Sequence, residues 1–232
     1  MTSGTWFDGL TTPLVADAQV RLRIPLRAAP RDVRALWPGM RVAGPVIAVR
    51  HFGSVDVFLE AFELARPGGV LVIDNDGRDD EACIGDLTVL EARLAGLLGV
   101  VVWGCHRDTQ ELRAIGWPVF SSGALSAGPR QLRDRDGDPF TGVRVGNVEL
   151  QPGDVVMADD DGVLFVAGTE LDAVLDTARS IATTERAQAD AIRSGTSLRD
   201  QLGFGEYLAQ RRERPELTFR EHLRRVNAAI EE

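Results

Sequence analysis

The apolar positions of this chain form two kinds of run. Val70–Asp74 (VLVID) and Gly99–Trp103 (GVVVW) are continuous, the pattern of strands buried on both faces. Between them Leu87, Leu90, Leu94 and Leu97 recur at helical spacing, which predicts a helix from Gly85 to about Leu98. Asn75 to Ile84 is polar and reads as a loop. Residues 70 to 103 therefore read as strand, loop, helix, strand, a crossover unit with parallel strands. Upstream, Thr12-Pro13 reads as a helix start. Met40 to Arg50 reads as extended, with Pro45 marking an edge or a break. Ser54 caps a helix through about Leu64, with Val55, Leu59 and Phe62 on one face. Downstream, a helix of about Thr109 to Ile115 leads to a strand, Pro118 to Ser121. Val143 to Leu150, broken at Gly146-Asn147, and Val155 to Val166, broken at Asp161-Gly162, read as hairpins. A long helix of about Glu170 to Arg193 follows, and from Ser197 the chain is polar and helical in pattern. Without repeats or a linker, one α/β domain with a helical tail is the economical reading.

Composition narrows the function classes. A chain of 232 residues can bury a sizeable core as one domain. A net charge of −9 argues against nucleic acid and against an anionic membrane surface, because both are bound through basic groups. No apolar run is long enough to span a bilayer, and the N-terminus, MTSGTWFDGL, lacks the pattern of a signal peptide. Cys83 and Cys105 form no C-x-x-C pair, which fits a reduced cytoplasm. The chain contains no lysine. That excludes Schiff-base chemistry on a lysine amine and excludes a P-loop.

Several polar clusters compete for the chemistry. Asp74–Glu81 (DNDGRDDE) has its glycine fourth, where a calcium loop needs it sixth, and reads mainly as solvated acids. Asp159-Asp160-Asp161-Gly162 reads as a hairpin turn. Cys105 and His106 are adjacent on an extended segment, so their side chains point to opposite sides and do not pair. His51 and His222 read as structural or surface groups. No glycine-rich nucleotide fingerprint follows a strand. Gly85-Asp86 and Arg107-Asp108 stand apart from these. Asp86 starts a helix, whose first amides lack partners. Arg107-Asp108 sits just past the next strand, and a crossover unit brings those two places to one rim. Two readings stay open on spacing alone. The four residues form a site, or Asp86 caps its helix and Arg107 pairs with Asp108 or Glu111.

These residues resemble a family pattern. Asp86, twenty intervening residues and then Arg107-Asp108 are similar to the motif of the RraA-like family, which includes class II 4-hydroxy-4-methyl-2-oxoglutarate aldolases. Glu111 fits the place of a further acid. GPVIAV, PGGVLVIDNDG, GDLTVLEARLAGLLGVVVWG, PVFSSG and LQPGDVVMADDDGVLFV match the surrounding frame, over about residues 10 to 170.

The resemblance implies a layered α/β/β/α sandwich, similar to swivelling phosphohistidine domains. Its domain would be residues 1–196, with 197–232 a helical extension packed on it or on a neighbouring subunit. A homotrimer or dimer of trimers is implied, with the site between subunits. The implied chemistry is cleavage of a 2-oxo acid to pyruvate with Mg²⁺ or Mn²⁺, often with oxaloacetate decarboxylation. In that scheme Asp108 binds the metal. Arg107 grips the substrate carboxylate, and the amides of Gly85, Asp86, Leu87 and Thr88 hold the pyruvyl oxygens. Asp86 orients a metal-bound water as base, and Glu185 of a neighbouring subunit joins the metal's outer shell. Trp103 and His106 depart from the family's usual polar and small residues, leaving Trp103 as core or as a pocket wall. The alternatives are a non-catalytic RraA-like regulator acting by protein contact, and the same site with different lyase chemistry. A methyltransferase label, also used for relatives, finds no cofactor site here.

Overall fold

The computed structural model describes residues 9–135 and 137–226. In chain order its elements are α1 (Thr12–Arg21), β1 (Arg27–Ala28), β2 (Arg34–Ala35), β3 (Val42–Arg50), α2 (Asp56–Leu64), β4 (Val70–Asp74), β5 (Ala82–Ile84) and α3 (Asp86–Leu94). Then come β6 (Gly99–Trp103), β7 (Cys105–His106), α4 (Thr109–Ile115), β8 (Val119–Ser121), β9 (Gly123–Ala124), β10 (Arg144–Val145) and β11 (Val148–Glu149). The remainder is β12 (Val155–Asp159), β13 (Gly162–Val166), α5 (Leu171–Arg193), α6 (Leu198–Gln201), α7 (Phe204–Glu213) and α8 (Phe219–Val226).

One curled sheet runs β1-β13-β12-β3-β4-β6-β8-β2. The core strands β4 and β6 are parallel, as the crossover unit predicts, with Asp74 opposite Trp103. β3 joins two kinds of sheet. Its first half, Val42 to Pro45, pairs antiparallel with β12, and its second half, Val46 to Arg50, pairs parallel with β4. Pro45 therefore marks the change of partner inside the sheet and not an edge. A proline is tolerated there because β3 takes its next bond past the switch, from the Val46 amide to the Asp154 carbonyl.

Strand alternation then sorts the side chains into layers. Val70, Val72 and Val101 point inward with Val156, Ala158 and Phe165, filling the space inside the curl. Leu71, Ile73, Val100 and Val102 point outward onto α2, α3 and α4. On the other half, Ala43, Val155, Met157 and Leu164 point outward onto α1 and α5. The result is the layered α/β/β/α sandwich expected. The tail helices α6 to α8 gather Phe204, Tyr207, Phe219 and His222 into a ring cluster of their own. His222 is buried there and bonds the Leu202 carbonyl through Nε2 at 2.8 Å.

Two predicted helix faces are turned. α2 buries Val57, Phe58 and Ala61, while Val55 and Leu59 face solvent. α3 buries Val89 and Ala92, and leaves Leu87, Leu90 and Leu94 exposed at 75%, 45% and 80%. α3 also stops at Leu94, because Gly96 adopts a φ of +81°. The predicted loop of residues 75–84 ends in a strand, β5. Asp159 and Gly162 pair across the second hairpin, so its turn is Asp160-Asp161. Asp159 also ties the hairpin to the first helix. Its carboxylate accepts the backbone amide and hydroxyl of Thr12 and so caps α1 from a distant part of the chain. Among the described residues no helix is long and apolar enough to cross a membrane, and both cysteines are free and buried.

Candidate active site

The candidate site is built by a small annex to the main sheet. Beyond β6 the chain turns at Gly104 and enters β7, which lies parallel between β5 and β9. The Arg107 amide donates to the Ile84 carbonyl at 2.9 Å, which fixes the next residue beside the start of α3. That residue, Asp108, is left-handed, with φ 59° and ψ 40°. It stands at the N-terminal cap of α4 yet makes no side-chain cap bond there. Its carboxylate lies instead over Gly85, the residue before α3. A Cβ on Gly85 would collide with Oδ2 of Asp108. Gly85 has ordinary extended dihedrals, so its lack of a side chain serves space and not backbone freedom.

Arg107 and Asp108 form an ion pair, Nε to Oδ2 at 3.4 Å, with both side chains partly exposed. The far end of Arg107 lies against Gly128, where a Cβ would stand 2.7 Å from Nη1. Asp86 accepts the Leu87 amide on Oδ1 at 2.8 Å. Both contacts of the purely structural alternative are therefore present, and they coexist with the assembled rim. They also correct one part of the expected amide site: the Leu87 amide is occupied, which leaves the Asp86 and Thr88 amides without a protein acceptor among the described residues. Glu111 is exposed in the first turn of α4 and is not the partner of Arg107.

His106 braces the rim from beneath. It is buried, with Nδ1 2.7 Å from Ser121 Oγ and Nε2 3.0 Å from Thr109 Oγ1. Both ring nitrogens are engaged by hydroxyls, so His106 is no base for Cys105. Burial also pushes both thiols above their usual range and holds His106 below its own. Glu185 lies exposed on α5, in the opposite helical layer from α3 and α4. One chain therefore does not bring it to Asp86, Arg107 and Asp108.

Trp103 meets the first of its two readings, since it packs against the interior core. It also walls a cavity of about 590 Å³ at the carboxyl ends of β3, β4 and β6, and that cavity is not lined by Arg107 or Asp108. The acidic loop beside it is less solvated than its composition suggests. Asp74 and Glu81 are buried, with Asp74 accepting the amides of Asp76 and Arg144, and Glu81 pairing with Arg133 at 2.6 Å. His51 is buried in the same network, bonded to Asn75. Sequence reading missed this network because its members are spread from residue 51 to residue 133, with no shared motif.

The donor chemistry at the rim suits one type of metal. Among the described residues no three His, Cys, Asp or Glu side chains group to cage an ion. Asp108 offers one hard carboxylate over Gly85, the residue before Asp86, and such a donor fits a hard divalent cation that keeps most of its water.

Comparison with known proteins agrees with the fold and the family resemblance. The chain matches the RraA-like family, described as Aldolase/RraA, over residues 12–165. Protein DlpA of Legionella pneumophila is 30% identical over 175 residues, covering 72% of this chain and 28% of DlpA. The chain thus spans little more than a quarter of that relative. A protein of Halalkalibacterium halodurans, named provisionally as a 4-hydroxy-4-methyl-2-oxoglutarate aldolase, is 31% identical over 161 residues, 69% of this chain and 76% of that protein. The solved structure of Streptomyces coelicolor RraAS2, described as an unusual member of the RNase ES inhibitor RraA protein family, aligns with a TM-score of 0.67 at 27% identity, covering 78% of this chain and 93% of that one. The family match over most of the chain, the layered sandwich and the Asp86 to Arg107-Asp108 frame converge: this chain belongs to the RraA-like family.

Proposed function

We propose that this protein is a divalent-metal-dependent carbon–carbon lyase that cleaves a 2-oxo acid and releases pyruvate, as an aldolase, an oxaloacetate decarboxylase or both. The seat of Asp108 carries the reading. A left-handed aspartate that leaves its own helix uncapped and turns its carboxylate to the start of α3 is costly for structure alone. The name of the Halalkalibacterium halodurans relative supports a lyase. The absence of lysine bears on the route alone: an enolate then needs a charge sink other than a protonated Schiff base.

The chain's own groups divide the work. Asp108 would hold Mg²⁺ or Mn²⁺, which would supply Lewis acidity to the substrate when bound. Arg107 presents a planar fork to the 2-oxo acid's carboxylate. The Asp86 and Thr88 amides, at the positive end of α3, face the oxygens that gain charge as the bond breaks. Asp86 keeps Oδ2 available after Oδ1 takes the Leu87 amide. That oxygen can orient a water to receive the substrate hydroxyl proton. His106 holds the turn from residue 106 to 109 so that Asp108 keeps its place.

We further propose a homotrimer or dimer of trimers in the cytoplasm. Leu87, Leu90 and Leu94 form an apolar stripe that one chain leaves uncovered, and a neighbouring subunit is the means to bring Glu185 to the rim. That stripe, and the description of RraAS2 as a member of an RNase inhibitor family, also favour a second reading, a regulator acting by protein contact. Pyruvate release from oxaloacetate and from 4-hydroxy-4-methyl-2-oxoglutarate separates the two, assayed with Mg²⁺ or chelator for wild type and Asp108→Ala. Metal-dependent release that disappears in the variant supports the lyase. No release from folded, metal-supplied protein across a panel of 2-oxo acids overturns it.

A further inference from the structure

The parallel strands β3, β4 and β6 end in register on Arg50, Asp74 and Trp103. Above that row lies the cavity of about 590 Å³. It is a separate place from the Arg107–Asp108 rim, neither of whose side chains lines it. Carboxyl ends of parallel strands are where open α/β sheets receive ligands, and this volume suits a small organic molecule.

Each wall specifies part of that molecule. Trp103 and Phe52 supply flat surfaces. Arg144 is exposed at the cavity, and its guanidinium has no partner among the described residues. Arg50 stands beside it, anchored on the Gly142 carbonyl at 2.6 Å and 3.8 Å from the buried Asp74. Asp74 is already committed, since its two oxygens accept the Asp76 and Arg144 amides. Asp76 and Asp134 also bring carboxylates to the cavity, and Arg78 and Arg133 are paired with Asp80 and Glu81, so the anion falls to the unpaired guanidinium of Arg144 with Arg50 beside it.

His51 supplies the most defined group. Its Nδ1 lies 2.9 Å from Asn75 Oδ1, and Arg133 Nη2 donates to the same oxygen at 3.2 Å. The Arg133 contact settles which end of the Asn75 amide is oxygen. An oxygen can only accept here, so Nδ1 carries the proton. Nε2 then bears a lone pair, and it has no partner among the described residues. Burial, reinforced by the charge of Arg133, keeps the ring neutral by holding it below the usual histidine range. The ring is also fixed in place by stacking on Phe58 at 5.1 Å.

We infer that this cavity is a second ligand site, for small aromatic hydroxycarboxylates. The carboxylate lies on Arg144 and Arg50, the ring lies along Trp103 and Phe52, and the hydroxyl donates to Nε2 of His51.

Isothermal titration calorimetry tests this with 4-hydroxybenzoate as the probe. Benzoate lacks the hydroxyl donor, and 4-hydroxybenzyl alcohol lacks the charge. The expected result is saturable binding of 4-hydroxybenzoate, weakened about tenfold or more for either comparison compound and in Arg144→Ala, where only an exposed side chain is removed. Asp108→Ala should bind the probe as wild type does. Absence of saturable heat in the millimolar range overturns the inference, as does equal binding of all three compounds. Loss of binding in Asp108→Ala with retention in Arg144→Ala also overturns it, by moving the anion to the other rim. The outcome is independent of pyruvate release, so failure here leaves the lyase reading standing.

Discussion

The Asp108 carboxylate occupies the space that a side chain on Gly85 would need. Two segments twenty-three positions apart in the chain are thereby locked face to face, the start of α3 and the start of α4. The contact is asymmetric. Gly85 contributes only an absence, and Asp108 contributes a strained backbone.

Gly85→Ala should therefore disable the site without unfolding the protein. The added methyl displaces the carboxylate while the dihedrals of residue 85 suit any amino acid. A misplacement of about 1 Å in a reacting group costs on the order of 100-fold in rate. Pyruvate release should fall by about that factor, with far-UV circular dichroism unchanged. Wild-type rates in Gly85→Ala would show that the contact has no bearing on chemistry.

Asp108→Gly should separate stability from activity. Glycine adopts the left-handed region without the steric cost that aspartate bears. That gain is offset by the greater chain entropy glycine loses on folding, of about 0.5–1 kcal/mol. Urea denaturation should place the variant within about 1 kcal/mol of wild type, or above it, while activity is lost. A variant destabilised by about 3 kcal/mol or more would assign Asp108 a structural role instead.

The legible parts of this fold are those with a strong local signature. Val70–Asp74 and Gly99–Trp103 announce themselves because four consecutive apolar residues mark a strand buried on both faces. Asp86 and Arg107-Asp108 are legible as a frame because the crossover unit fixes their relative place. The leucines of α3 mislead, since helical spacing reports an apolar face and does not say what covers it. Val89 and Ala92, small and less conspicuous, are the residues that touch the sheet. Short strands such as β5 and β7 are invisible because two or three residues carry no period. The left-handed Asp108 and the buried His51–Asn75–Arg133–Glu81 network arise only when distant segments meet.

The exposed stripe on α3 makes a prediction about assembly. Leu90→Glu places a charge at the middle of it, on a position already 45% exposed in the single chain. The monomer should lose little, about 0.5 kcal/mol or less. A subunit interface on this face would instead have to bury an unpaired carboxylate, which is severely unfavourable. Sedimentation should show wild type as a trimer or larger and Leu90→Glu as a monomer. If activity needs Glu185 of a neighbour, release of pyruvate should fall with the assembly. An unchanged sedimentation pattern would place the interface elsewhere.

Stability should decrease on mild acidification. His51 and His106 are both held below the free histidine value of 6.5, principally by burial. Their folded forms are neutral, so between their folded values and 6.5 the unfolded chain binds more protons than the native one. Stability from these two groups is therefore complete above about pH 6.5 and is lost as pH falls below it. Each proton taken up on unfolding contributes a slope of at most about 1.4 kcal/mol per pH unit. Asp74 acts in the opposite sense: burial raises its carboxyl, so its protonation relieves a cost at lower pH. The groups held low, such as Asp56 and Glu221, lose their contribution only as pH nears the carboxylate range. A window from about pH 7.5 to about pH 5.5 thus spans the histidine range and stays above the groups held low. Urea midpoints should fall across it. In His51→Gln, whose side-chain amide can still donate to Asn75, the fall should be smaller. A midpoint that is flat or rises on acidification would mean that the buried rings accept protons in the folded state, contrary to the bonds assigned to them.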